Sequence, residues 1–159
     1  MKDPNRSPQT LPYLDAVVRE GLRLAMANPT RLPRTVPPQG FDFTDYTGKT
    51  YHFPAGTQIG VQILTLHLNP KVFPDPLAFK PERWLDNPTP EMTRDLIPFS
   101  LGQRQCIARN LAMQELFLAV RALARDDVLS GARTVSDKIE ILEWFNSKVV
   151  GERIELIWD

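Results

Sequence analysis

A chain of 159 residues with 19 basic and 19 acidic side chains is one domain long and carries no net charge, which gives no reason to expect nucleic acid or an acidic surface as a partner. Its single cysteine excludes an internal disulfide, which leaves the redox compartment open, a reducing one fitting best. No apolar run is long enough to span a bilayer and Met1–Thr10 has no secretory signal, so the chain reads as soluble. Proline divides it. All 15 prolines lie at or before Pro98, nearly twice the ordinary share of about 5%, so a loop-rich first part precedes a proline-free remainder expected to hold a long helix and strands.

Residues 1–10 are polar, with Pro4 and Pro8, and read as a linker or a cut end. Leu14, Val17, Val18, Gly21, Leu22 and Ala25 recur at helical spacing behind Pro12 and Asp15, which predicts a helix over Tyr13–Ala27 that Asn28-Pro29 ends. Arg31–Val36 is a short extended segment. Phe41–Tyr51, around Asp45 and Gly48, reads as a hairpin, Pro54–Thr57 as a turn, and the alternation in Gln58–Ile63 as a strand. A long proline-rich stretch then runs from Leu66 to Pro81-Glu82-Arg83-Trp84, and loops of that length inside a domain usually have a purpose. His67 has no second histidine or acidic ligand at metal spacing, and reads as a loop or pocket histidine.

Ile107–Ala124 is apolar almost all round and is expected to be a helix buried on most sides. Ile139–Trp144 and Gly151–Trp158 alternate in part and are expected to pair as a hairpin through Asn146-Ser147-Lys148. Just ahead of the long helix stands Cys106. Unpaired backbone N–H groups and the positive end of the helix dipole converge there, which favours thiolate and suits a soft metal. Gly102 can take a positive φ and fold the backbone tightly, Arg104 offers a fixed charge to a carboxylate, and Phe99 can keep water off the sulfur. A lone cysteine is by itself more often an inert buried residue.

Phe99-x-x-Gly102-x-Arg104-x-Cys106, followed by an Ala/Leu-rich helix, resembles the haem-binding loop of the cytochrome P450 monooxygenases. Two further segments carry the same resemblance in the same order: Glu20-x-x-Arg23 on the first helix, and Pro81-Glu82-Arg83 at the end of the proline-rich stretch, which is similar to the family's meander. The resemblance implies an α+β fold, mainly α, with two long helices, small β-hairpins and a meander loop, residues 11–159 being the C-terminal portion of a P450 domain. It implies haem b held by the Cys106 thiolate, propionates met by Arg104 and Arg34, and a proximal loop shaped by Phe99 and Gly102. Glu20, Arg23 and Arg83 are implied to form a structural triad.

The implied reaction inserts one oxygen atom of O2 into a small organic substrate, with electrons from an NADPH-dependent reductase or other donor. The turn from Met26 to Leu32 and the residues near Phe145 are implied to face the substrate pocket. The family's oxygen-handling helix and distal wall lie in a front portion not found here, as does the membrane anchor that places eukaryotic relatives at the endoplasmic reticulum. Two alternatives stay open: an inactive P450 remnant with weak or no haem binding, and an unrelated small domain with a redox thiol, against which the missing resolving cysteine counts.

Overall fold

Pro12 starts α1 (Pro12–Leu24) from its first position, where a missing N–H costs no helical bond. The computed structural model describes residues 11–25, 27–85, 87–136 and 139–158; the expected linker 1–10 lies outside them, as does Met26. α1 ends at Leu24, three residues short of the expected Ala27. In its last turn the Arg23 oxygen lies 3.2 Å from His67 Nδ1, and past its end the Ala27 oxygen accepts from the Ser147 N–H at 3.0 Å.

Among the described residues four two-stranded antiparallel sheets follow, each small because turns interrupt the chain. β1 (Arg34–Thr35) pairs with β4 (Gln58–Ile59), and β2 (Phe41–Thr44) with β3 (Thr50–Phe53). The second pair is closed by Asp45, whose Oδ1 accepts from the N–H groups of Thr47 and Lys49, and by Gly48 at φ 84°. The expected strand over Gln58–Ile63 is only two residues long. In the register that pairs Arg34 with Ile59, Pro33 falls opposite Gly60 and has no N–H to give. The ladder resumes at Arg31 and Gln62. Gly60 lets the two strands approach closely there, since a Cβ would sit 3.2 Å from the Leu32 oxygen and the Pro33 Cα and would push that backbone aside.

Ile63 then begins a helix rather than ending a strand: α2 (Ile63–His67) leads into the meander, where Pro81–Trp84 forms a 3-10 turn. The short α3 (Pro90–Asp95) is capped by the Thr89 hydroxyl, which accepts from the Met92 N–H. Ala16, Phe73, Trp84 and Met92 form the core, with Val72 and Leu96 packed on it. The rings of Phe73 and Trp84 meet at 6.0 Å, tilted by 50°, so the centre of the fold lies between α1 and the meander.

α4 (Arg109–Arg125) runs beside α1. The expectation that it is buried on most sides fails, because Phe117 is its only buried residue while Leu111 and Leu118 are exposed. A helix buries the face that another element covers, and among the described residues the face of α4 that carries Leu111 and Leu118 has no cover. The tail also pairs differently from the expected hairpin. β6 (Ile141–Leu142) pairs with β7 (Lys148–Val149), whereas β8 (Leu156–Trp158) returns to β5 (Ala132–Thr134). A 3-10 turn at Val150–Glu152, with Gly151 at φ 77°, breaks the extended chain between β7 and β8, so neighbours in sequence do not become neighbours in the sheet.

Candidate functional site

Glu20 and Arg23 stand one turn apart on α1, so their side chains leave the helix on the same face. Both are fully buried. Arg23 Nε donates to Glu20 Oε2 at 3.0 Å and its Nη2 to Oε1 at 2.8 Å. The carboxylate takes three more bonds from the meander: Arg83 Nε at 3.1 Å, the Lys80 N–H at 3.1 Å and Trp84 Nε1 at 2.9 Å. Burial alone would raise the Glu20 carboxyl, but the bonds from Arg23, Lys80 and Trp84, with the Arg23 charge, hold it below the usual carboxylate range.

Arg23 spends its remaining donors on carbonyls: His67 at 2.8 Å and Pro76 at 2.6 Å from Nη1, Ala78 at 3.3 Å from Nη2. Its guanidinium also lies 5.2 Å from the centre of the Phe73 ring. Arg83 Nη1 reaches the Pro74 carbonyl at 3.0 Å, and Arg83 Nη2 is buried without a hydrogen bond. One carboxylate and two guanidinium groups thus pin a loop of irregular backbone to one helix.

His67, read from the sequence as a loop or pocket histidine, ends α2 and belongs to this cluster. It is buried, its Nδ1 faces the Arg23 carbonyl, and its Nε2 accepts from the Ile97 N–H at 3.1 Å. Desolvation, joined by the Arg23 charge, pushes the imidazole down to about 4. No spacing pattern reveals such a residue, because its partners are backbone atoms 44 and 30 positions away.

The cysteine segment begins at Ile97 and doubles back on itself. Ser100 and Gly102 both adopt positive φ, 62° and 75°, with Leu101 extended between them. Gly102 is the residue expected to do this; Ser100 is an addition, and a hydroxyl side chain in that region marks a loop whose shape is set by its surroundings. The Cys106 N–H then donates to the Phe99 carbonyl at 2.9 Å, closing the loop, and the Cys106 carbonyl receives the Arg109 N–H at 3.3 Å as α4 begins. The thiol is free and exposed, with Gly102, Arg104 and Ile107 exposed beside it.

The near side of the loop meets an apolar cavity of about 460 Å3, walled by Phe41, Phe43, Phe53, Val61, Ile63 and Leu101. Arg34 also lines it, its Nη1 bonded to the carbonyls of Leu32 and Pro33. Phe99 lines other clefts, against α1 and α2 on one side and α3 and α4 on the other. So Arg34 shares the cavity wall with Ser100 and Leu101 of the loop, whereas Gly102, Arg104 and Cys106 are exposed and do not line it. Phe145 is exposed on the turn between β6 and β7.

Residues 5–125 match the family model for cytochrome P450. The chain is 46% identical over 157 residues to the cytochrome P450 monooxygenase mfmF of Annulohypoxylon moriforme, covering 95% of this chain and 31% of that protein. It is 38% identical over 148 residues to the cytochrome P450 monooxygenase astB of Talaromyces wortmannii, covering 89% of this chain and 29% of that one. Among solved structures it is similar to the crystal structure of a cytochrome P450 (CYP102L1), with a TM-score of 0.65 and 26% identity, over 94% of this chain and 32% of the other. The chain therefore spans about a third of the length of these relatives.

Proposed function

The chain belongs to the cytochrome P450 family, and from that premise we propose that residues 11–159 supply the sulfur side of a haem-thiolate monooxygenase domain. Haem is the cofactor of the family, and the residues present fit it chemically. The exposed free thiol of Cys106 is a soft ligand; the apolar cavity offers walls to a flat ring, and the Arg34 guanidinium among those walls suits a carboxylate. Cys106 would hold the iron, Arg34 and Arg104 the propionates, and Phe99 and Gly102 the shape of the loop. Thiolate-ligated haem supplies the activation of O2 and insertion of one oxygen atom into an organic substrate, with electrons from a reductase.

The chain's own residues contribute position. The bond from the Cys106 N–H to Phe99 holds the loop closed, and the left-handed Ser100 and Gly102 bend its backbone on either side of Leu101, which lines the apolar cavity. Glu20, Arg23 and Arg83 brace the meander behind it. The observation that carries the reading is this closed loop, ending in an exposed thiol three residues before α4. Haem added to the purified chain and reduced under carbon monoxide is expected to give the red-shifted Soret band of a thiolate ligand, and Cys106→Ala is expected to lose it. A band unchanged by the substitution overturns the assignment of Cys106.

The exposed apolar face of α4 supports a second reading, in which this chain by itself keeps the loop but binds haem weakly or not at all. A parent chain with no Soret band of either kind is the outcome that reading expects.

A further inference from the structure

Ile97 is where the cysteine segment leaves the core. Its N–H donates to His67 Nε2 at 3.1 Å, and the other ring nitrogen of His67 lies 3.2 Å from the Arg23 carbonyl oxygen. A backbone N–H only donates and a carbonyl only accepts, so the ring satisfies both partners in one form alone, the neutral imidazole with its hydrogen on Nδ1. A proton added at Nε2 would set two donors against each other.

One side chain on the last residue of α2 therefore joins the end of α1 to the root of the loop. Arg23, whose carbonyl it engages, is the residue whose guanidinium holds Glu20 and also donates to the His67 carbonyl. The loop's internal bonds, from Ser100 N–H to the Ile97 oxygen and from Cys106 N–H to the Phe99 oxygen, give it shape without tying it to α1. A cavity of about 80 Å3 lies beside the ring, lined by Leu22, Arg23, His67, Pro98 and Phe99. Close packing does not wedge the loop root at that point.

We propose that His67 is a positioning residue for the cysteine loop, a neutral imidazole that fixes Ile97 to the last turn of α1 and so sets where Cys106 is held. Burial disfavours protonation of the ring most strongly and the Arg23 charge from α1 adds to it; the bond to the Arg23 carbonyl and the charge of Asp95 from α3, itself paired with Arg94, oppose it and are outweighed. The ring is therefore neutral at physiological pH. That the positioned sulfur serves haem rests on the function proposed above; the tether does not.

The test is amide hydrogen exchange on the full 159-residue chain at neutral pH. His67→Phe keeps a ring of similar size but removes the acceptor, and is expected to speed exchange at Ile97 about tenfold or more, extending to Ser100 and Cys106, while the amides of α1 stay protected. His67→Gln, whose Oε1 can accept from Ile97, is expected to restore much of the protection. Unchanged exchange at Ile97 in His67→Phe, or an equal rise in α1 and loop in both variants, overturns the proposal. Should His67→Phe fail to fold, the parent answers by pH: normalised protection at Ile97 is expected to fall before that of α1 on acidification, and a flat difference overturns the tether. With haem bound, His67→Phe is expected to move the reduced carbon monoxide band away from the thiolate position. A parent without that band overturns the haem reading, and the exchange data still decide the tether.

Discussion

The two long helices handle their side chains in opposite ways. α1 buries a glutamate and an arginine completely, whereas α4 leaves leucines at Leu111 and Leu118 in contact with solvent. Polarity does not explain this, since by composition α4 is the more apolar helix. The difference is what lies against each. α1 is wrapped by the meander, which brings Lys80, Arg83, Trp84 and a row of carbonyls to within hydrogen-bond distance of its charged pair. α4 has α1 along one side, and Phe117 is the residue it buries. Burial belongs to the contact, and a charge can be buried wherever enough partners arrive with it.

Breaking the α1 side should have the largest effect. Glu20→Ala strands Arg23 and Arg83 beside each other in a buried site and is expected to cost about 3–5 kcal/mol in denaturant unfolding. A loss below 1 kcal/mol would mean that the buried charges are as loosely held as surface ones, and the contrast with α4 would disappear.

Acid should come next, and it separates His67 from Glu20. Between pH 6.5 and about 4 the unfolded chain carries a proton on His67 that the folded chain does not, so stability rises with pH in that window. Acidification across it is expected to remove about 3 kcal/mol, and His67→Phe should abolish that slope. Glu20 has a lowered folded value, so its contribution is complete above the unfolded value of 4.5 and is lost only as the pH falls further through the folded one. Denaturation midpoints measured at half-unit pH steps, in parent and variant, resolve the two windows.

The smallest effect belongs to α4. Leu111→Ala, at an exposed leucine, is expected to change unfolding free energy by no more than about 0.5 kcal/mol. A cost of 2 kcal/mol or more, the range of about 2–5 for a buried leucine, would show that this face is covered in solution, for instance by a second copy. Sedimentation of the parent would then reveal it.

Elements defined by neighbours in sequence were legible: Pro12 opening α1, Asp45 and Gly48 closing the β2–β3 hairpin, and Gly102 in its left-handed turn. Each is a local rule about one or two residues' backbone angles or side-chain reach. The alternation in Gln58–Ile63 misled because the ladder is broken by Pro33, on the other strand and 27 positions before Gly60. The tail misled in the same way, since β8 chose β5 across the β6–β7 hairpin.

The candidate site divides along the same line. The residue types and spacing of Phe99, Gly102, Arg104 and Cys106, and of Glu20 with Arg23, are properties of the chain alone, and they identified the family to which the comparisons assign it. What only the folded arrangement decided is which atoms answer them: five hydrogen bonds converging on the Glu20 carboxylate, Ser100 in a left-handed turn, Arg34 on the wall of an apolar cavity, and His67 between Arg23 and Ile97. Short-range spacing constrains torsions and faces, whereas a hydrogen bond across tens of residues depends on packing that brings backbone atoms together irrespective of the side chains they carry.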